Sequence, residues 1–269
     1  MQCADFVKNM GTVCCTWGRY RMAGRIAIRD IRFPTGRTAR AVQLRGVVDA
    51  ATIASALQLG DPRALIVIIG GAGGMSEEET RRLRPLFVEG LAPLAAAERI
   101  AILDGGTNSG VMALAGQGAS RQGLTALLIG VCPLACVSWP GRRNPRATAE
   151  LEPNHSHFVL TPGRRFGDET GIAYAIVQML SEKMPTLALV VNGGEITYDE
   201  VLRNVAQNRE IIVLAGSGRA ADAIAAVWES GQSGEARLAQ IVARGRVVLF
   251  AVAEGPHRLA RLIRERLWG

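Results

Sequence analysis

Apolar and charged residues alternate from Gly24 to Phe33 and again from Thr38 to Leu44, the period of half-exposed strands, with turn residues Pro34-Thr35-Gly36 between them. This predicts an amino-terminal β-hairpin. Val47 to Leu59 reads as a short helix that Gly60-Asp61-Pro62 stops. Beyond it the pattern changes to short apolar runs of strand length, around Ala64 to Ile69, Arg99 to Leu103, Leu124 to Val131, His157 to Thr161, Thr186 to Asn192, Ile211 to Leu214 and Arg246 to Val252. Helical stretches lie between them. One follows Ser76, an N-cap with Glu77, Glu78 and Glu79 in the first turn, and runs towards Ala97. Others start near Ser109, at Gly167-Asp168-Glu169-Thr170, near Thr197 and near Arg219, and a basic amphipathic helix from Pro256 to Trp268 closes the chain. Residues 1–23 carry no clear pattern and read as a loose segment.

Apolar strands alternating with helices belong to a mostly parallel sheet with helices on both faces. The expected fold class is therefore α/β, Rossmann-like, with residues 1–46 as an amino-terminal segment and hairpin and 47–269 as one domain. Ligands of such folds sit outside the carboxyl ends of the strands, where the strand order switches. Four glycine-rich turns stand there: Gly70-Gly71-Ala72-Gly73-Gly74, Gly105-Gly106-Thr107-Asn108-Ser109-Gly110, Gly193-Gly194 and Gly216-Ser217-Gly218-Arg219. Glycine lets a ligand approach the backbone, and a helix starting after the turn offers free N–H groups to an anion. For Gly193-Gly194, tight strand-to-helix packing explains the residues equally well.

Composition narrows the classes. With 269 residues, 48% of them hydrophobic, the chain has ample material for a core. A net charge of +7 favours phosphorylated ligands, but aromatics at 5% and dispersed basic residues do not make a stacking platform for nucleic acid. Five cysteines, an odd number without a secretory signal, predict reduced thiols and a cytoplasmic protein. Cys132 and Cys136 read as small buried side chains, because no second pair joins them as metal ligands. Gln122 to Gly141 is uncharged and long enough to cross a bilayer, yet Gly130, Pro133 and Pro140 interrupt it, so a buried strand and loop are expected rather than a transmembrane segment. The Pro/Arg-rich stretch between Pro133 and Glu152 reads as a long surface loop whose arginines reach either an anion or solvent.

Gly216-Ser217-Gly218-Arg219-Ala220-Ala221 fits G-x-G-x-x-A between a strand and a helix. The ribose-binding acid expected about twenty residues on is not evident, which argues against an ordinary NAD dehydrogenase. Arg219 stands in the first turn of its helix, against the dipole, where a bound phosphate or carboxylate, or plain solvent exposure, accounts for it. Gly70 to Gly74 lacks the Gly-Lys-Ser/Thr of a P-loop, and no Gly-x-Ser-x-Gly elbow marks a serine hydrolase. In Asn154-His155-Ser156-His157 the two histidines share a face if the segment is extended; roles that order the pocket are favoured over a metal pair, since no third ligand stands at suitable spacing.

Taken in order, the motifs resemble the SLOG superfamily, and most of all its branch at the cytosolic amino terminus of TRPM-type cation channels. The matches are Asp104-Gly105-Gly106-Thr107-Asn108-Ser109-Gly110-Val111-Met112, Ile129-Gly130-Val131, Asn154-His155-Ser156-His157-Phe158-Val159-Leu160, Val190-Val191-Asn192-Gly193-Gly194 and Gly216-Ser217-Gly218-Arg219-Ala220-Ala221-Asp222, spread over roughly residues 64 to 230. No channel segment follows, as in a stand-alone prokaryotic member. The resemblance implies a sensor of ADP-ribose-type nucleotides, with relatives in bacterial conflict and antiviral systems, acting on an effector protein and possible as a homo-oligomer. It implies no cofactor and no metal. Gly105, Gly106 and Ser109, with Thr107, Asn108 and Gly110 of the same turn, would hold phosphate or ribose; Gly216, Ser217, Gly218 and Arg219 the pyrophosphate or terminal ribose; Gly70, Gly71 and Ala72 the adenine side. Asn154, His155, Gly167, Glu169, Gly193 and Gly194 complete the expected pocket. The superfamily also holds phosphoribohydrolases marked by Pro-Gly-Gly-x-Gly-Thr-x-x-Glu, of which Gly70 to Glu77 is a partial echo without the proline and threonine. The alternative is thus an enzyme cleaving an N-glycosidic bond with Glu169 or Glu77 as carboxylate, and the bland option is a structural module with a degenerate pocket.

Overall fold

A computed structural model describes residues 24–123 and 126–269. The expectation for residues 1–23, with Cys3, Cys14 and Cys15, and the first two residues of the run at Leu124 lie outside the described residues.

The hairpin forms as β1 (Arg25–Arg32) and β2 (Thr38–Arg45), followed by α1 (Ala50–Leu57). The repeating part is β3 (Ala64–Gly70), α2 (Glu77–Pro85), α3 (Ala92–Glu98), β4 (Ile100–Asp104), α4 (Gly110–Arg121) and β5 (Leu127–Pro133). After two short strands, β6 (Val137–Ser138) and β7 (Ala149–Glu150), it continues with β8 (His157–Thr161), α5 (Thr170–Ser181), β9 (Thr186–Val191), α6 (Glu195–Ala206), β10 (Glu210–Ala215) and α7 (Arg219–Ser230). The chain ends in α8 (Ala236–Arg244), β11 (Arg246–Ala251) and α9 (Pro256–Trp268). Helix α8 was not anticipated.

Nine strands make one sheet in the order β1-β2-β8-β5-β4-β3-β9-β10-β11. Every pairing is parallel except β1 with β2, and β2 joins β8, so the hairpin is the edge of the same sheet. The chain builds outward from β3 through β4, β5 and β8, then returns to the opposite flank with β9, β10 and β11. The strand order therefore switches between β3 and β9, where a crevice opens at their carboxyl ends.

Both sheet faces are buried, which is why the strand runs are unbroken. Leu65, Val67 and Ile69 face the layer that holds α1, α5, α6, α7 and α8. Ala64, Ile66 and Ile68 face α2, α3, α4 and α9. Ser76 caps α2 in a reciprocal capping box with Glu79, satisfying the first-turn donors the acidic run promised. The helix then widens into a π-helical stretch, Leu86–Leu91, flanked by Pro85 and Pro93, neither of which has an N–H to give. The start of α9 packs against this stretch at Gly90.

The stretch between Pro133 and Glu152 departs from the expected solvated loop. β6 and β7 pair in a small parallel sheet, and Val137, Trp139 and Leu151 are buried in a third apolar cluster with Ile31, Phe33 and Phe158. Arg142 stacks on the Trp139 ring at 4.6 Å. The uncharged run before it is β5 and this excursion, and among the described residues no helix is long and apolar enough to cross a membrane.

Candidate functional site

Three of the four glycine turns meet around one side chain. Arg219 opens α7 from an exposed position and holds a left-handed backbone, φ +50°. Its guanidinium lies against Gly74 of the turn after β3 and Gly194 of the turn after β9, and Nη1 donates to the Gly73 carbonyl at 3.3 Å. It forms no ion pair among the described residues. Beneath it the turns are tied to one another. Asn192 donates from its backbone N–H to Ser217 Oγ at 2.8 Å and from Nδ2 to the Ser217 carbonyl and to Glu79 Oε1. Ser217 is buried and donates its own hydroxyl to the Leu214 carbonyl, so both of its roles are occupied. The turn after β4 is tied to the turn after β3 in the same way: the Val111 N–H donates to the Gly71 carbonyl at 3.1 Å. A Cβ on Gly110 would collide with that carbonyl, and φ is +51° there, so only glycine fits.

Below this rim lies a cavity of about 110 Å³. Gly70, Ala72, Asp104, Gly105, Thr107 and Val131 of the strand ends line it, together with Phe166, Glu169, Tyr174, Ile196 and Glu200 from the α5 and α6 side. Among the described residues its lining holds three carboxyl groups and no lysine, arginine or histidine. Burial pushes the Glu169 carboxyl above its usual range, with the Asp168 charge adding to it. Burial first, and Glu169 second, push Glu200 up to about 8. Each group is costly to ionise here, and Glu200 keeps its proton up to about pH 8, where an exposed glutamate has lost it.

Asp104 has a different environment. It is buried, and its Oδ1 accepts from the Gly106 N–H at 2.7 Å and from His155 Nε2 at 2.9 Å. His155, fully buried and stacked on Phe158, donates from Nδ1 to Glu152 Oε2 at 2.7 Å. Both carboxylates only accept when ionised, so both ring nitrogens must carry protons. Burial alone would lower the His155 pKa; the Asp104 and Glu152 carboxylates more than offset it and raise it to about 9. Glu152 also accepts from the Asn154 backbone and side chain at 2.9 and 2.8 Å. The result is a buried carboxylate–imidazolium–carboxylate line that ends at the cavity. Among the described residues no group of three or more His, Cys, Asp or Glu side chains is arranged to hold a metal.

The expected site residues thus fall into several places. Gly70, Ala72, Gly105, Thr107 and Glu169 share the cavity. Gly194, Gly218 and Arg219 belong to the rim, with Gly193 against Thr197 and Gly71 beneath it against Asn192, whereas Gly216 sits beside Val252 and donates its N–H to Asp222 Oδ1. Gly106 packs on Gly130 and Phe158, and Ser109 precedes α4 as its N-cap. Gly167 leads into α5 beside Ile196, its N–H donating to Glu169 Oε2. Asn108 is exposed and lines a different, open hollow of about 730 Å³, formed with Trp139, Arg142 and Arg143. Although it is the larger space, its described lining includes neither Asp104, Glu169 and Glu200 nor the rim glycines. Asn154 and His155 stand behind the cavity, positioning Asp104. The segment is not extended through His155, so the two histidines take different partners: His157 bonds Ser156 and lies near Arg37 and Arg40, and burial with those charges lowers its pKa to about 4. Glu77 is exposed on α2, while Glu79 makes the contacts. Asp104, Glu152, Tyr174 and Glu200 were not singled out; only the position of Asp104 at the end of a strand, before a glycine turn, marked one of them.

Comparison with known proteins places this architecture. The chain is 29% identical over 202 residues to the transient receptor potential cation channel subfamily M member-like 2 of Nematostella vectensis, covering 61% of this chain and 13% of the relative. It is 26% identical over 203 residues to subfamily M member 2 of Rattus norvegicus, with 62% and 13% covered, and 27% identical over 207 residues to the Drosophila melanogaster channel trpm, with 65% and 10% covered. The chain thus spans about an eighth of the length of the first of these relatives. The family profile described as SLOG in TRPM, prokaryote, matches residues 63–261, from β3 into α9, and the chain belongs to that family.

Proposed function

We propose that this protein binds an ADP-ribose-type nucleotide, such as ADP-ribose, cyclic ADP-ribose or a related NAD-derived signal, in the crevice between β3 and β9 and passes its occupancy to an effector protein. The observation that carries this reading is Arg219, an exposed cation without an ion-pair partner among the described residues, spread over the glycine turns at the switch in strand order. A phosphate seated there meets a charge-assisted donor and backbone with no Cβ in the way. Membership of the SLOG family supports a nucleotide ligand. Calorimetric titration with ADP-ribose, cyclic ADP-ribose, NAD and AMP tests it. Micromolar or tighter binding of at least one is expected, and folded protein that binds none of them refutes the reading.

A second reading, cleavage of an N-glycosidic bond, draws on Glu200, whose carboxyl burial raises to about 8 so that it holds the proton a general acid needs, with Glu169 raised in the same direction in the same cavity. Chromatography after incubation with NAD, AMP and cyclic ADP-ribose separates the two. Product formation abolished by Glu169→Gln favours the enzyme; unchanged ligand leaves the sensor.

A further inference from the structure

The cavity and the rim above it differ in charge. The rim carries Arg219, whereas the cavity is lined by Asp104, Glu169 and Glu200 and by no cation. A phosphate that enters the cavity would meet the buried Asp104 carboxylate, with no cation among the described lining residues to balance it, and would give up its hydration. The group that fits has hydrogen-bond donors and no negative charge. At about 110 Å³ the space holds roughly three or four water volumes, enough for one five-membered sugar ring and too little for a nucleoside. Its walls also carry Met112, Val131, Phe166 and Ile196, apolar surface suited to the C–H face of a sugar.

Asp104 supplies the specific contact. Its Oδ1 is held by Gly106 and His155, but Oδ2 is buried with no hydrogen-bond partner among the described residues. A buried carboxylate oxygen left unpaired is costly unless a ligand donates to it. The His155–Glu152 line fixes the carboxylate's orientation before any ligand arrives, so little ordering is left to bind against.

We propose that the acidic cavity is a pentose subsite, in which Asp104 Oδ2 accepts from the hydroxyl groups of a ribose while the attached phosphates remain at the Arg219 rim. This rests on the nucleotide reading above for the identity of the whole ligand, and on the cavity alone for the sugar. The roles of the two carboxylates opposite follow: Glu169 and Glu200 accept or donate to the remaining hydroxyls.

The test compares the wild type with Asp104→Asn against three probes: ADP-ribose, inorganic pyrophosphate and free D-ribose, the last followed by saturation-transfer NMR. Asp104→Asn is expected to weaken ADP-ribose at least tenfold, to leave pyrophosphate within twofold, and to remove the saturation transfer that D-ribose shows with the wild type. Equal weakening of ADP-ribose and pyrophosphate, or no weakening of ADP-ribose, overturns the subsite and leaves nucleotide binding standing. If the wild type binds neither ADP-ribose nor pyrophosphate, the nucleotide reading fails. D-ribose then decides alone: transfer lost in the variant upholds the subsite, and no transfer to the wild type overturns it. A thermal melt checks that the variant folds. If it does not, Glu200→Gln, on the cavity wall, is judged by the same probes and criteria.

Discussion

His155 is ionised inside the protein because two carboxylates face it, and that makes stability depend on pH. Below pH 6.5 the folded and unfolded chains both hold the proton, and the stabilisation is fully present. As pH rises from 6.5 towards about 9, the unfolded chain releases its proton first and the contribution is lost. The span corresponds to something on the order of 3 kcal/mol. Denaturant melts of the wild type should lose stability across that window, and His155→Gln should flatten the curve while lowering stability at pH 6 by roughly 3 kcal/mol or more, since it leaves two buried carboxylates without a cation. Glu200 acts in the opposite sense for a carboxyl. Its pKa is raised from 4.5 to about 8, so the folded chain is disfavoured progressively as pH climbs between those values. Glu200→Gln should therefore raise the melting temperature at pH 8.5 and change it little at pH 4.5. His155 was legible in the sequence as a residue that orders the pocket, but its partners and Glu200 were not. Asp104 and His155 stand 51 positions apart, and neither spacing nor periodicity joins them; only the sheet brings the end of β4 against the turn before β8.

At the scale of elements the sequence was far more informative. Each unbroken apolar run became a parallel strand because both sheet faces are covered, and each glycine turn followed a strand because α/β crossovers place their tight connections there. Helix α8 escaped notice because it is only nine residues long and sits between a glycine- and serine-rich lead and Gly245, although Leu238, Ile241 and Val242 stand at helical spacing on it. The excursion carrying β6 and β7 escaped for a related reason: proline and arginine give it the composition of a loop, while Val137, Trp139 and Leu151 anchor it from far apart. One element shapes the site indirectly. Gly116, inside α4, lies where a Cβ would run into the Glu152 carboxyl group. Gly116→Ala should push Glu152 off His155 and cost about 2 kcal/mol, in place of the gain that alanine brings to an ordinary helix. Ser76→Ala, at the N-cap of α2, should cost only about 1 kcal/mol. Chemical denaturation of both variants measures the difference.

For the molecule as a whole, the net charge of +7 is the excess of 31 dispersed basic residues over 24 acidic ones, and several of the acids offset an arginine directly. On α9, the basic helix that closes the chain, Arg264 pairs with Glu98, Arg266 with Glu210, and Arg258 with Glu254 and Glu265. The first two pairs tie the last helix to α3 and β10, whereas those of Arg258 stay within the helix and the turn before it. The edge strand β1 is mostly exposed and carries Arg25, Arg29, Asp30 and Arg32, which discourages another strand from adding to it. The remaining field favours anions, so affinity for ADP-ribose should fall as ionic strength rises. Arg219→Ala should weaken that affinity by roughly 1.5–3 kcal/mol and flatten the salt dependence, which titrations at several salt concentrations would measure.

Arg219 also holds a backbone shape that suits glycine, φ +50°. A side chain there costs about 1–2 kcal/mol, against which glycine's greater freedom in the unfolded chain offsets about 0.4–1 kcal/mol. Folding by itself thus gives no reason to keep an arginine at this position. Arg219→Gly should melt at or above the wild-type temperature and yet bind nucleotide no better than Arg219→Ala. A library selected for thermal resistance alone would drift towards glycine at position 219, whereas one selected for ligand capture would hold the arginine. The two selections would part at this one codon.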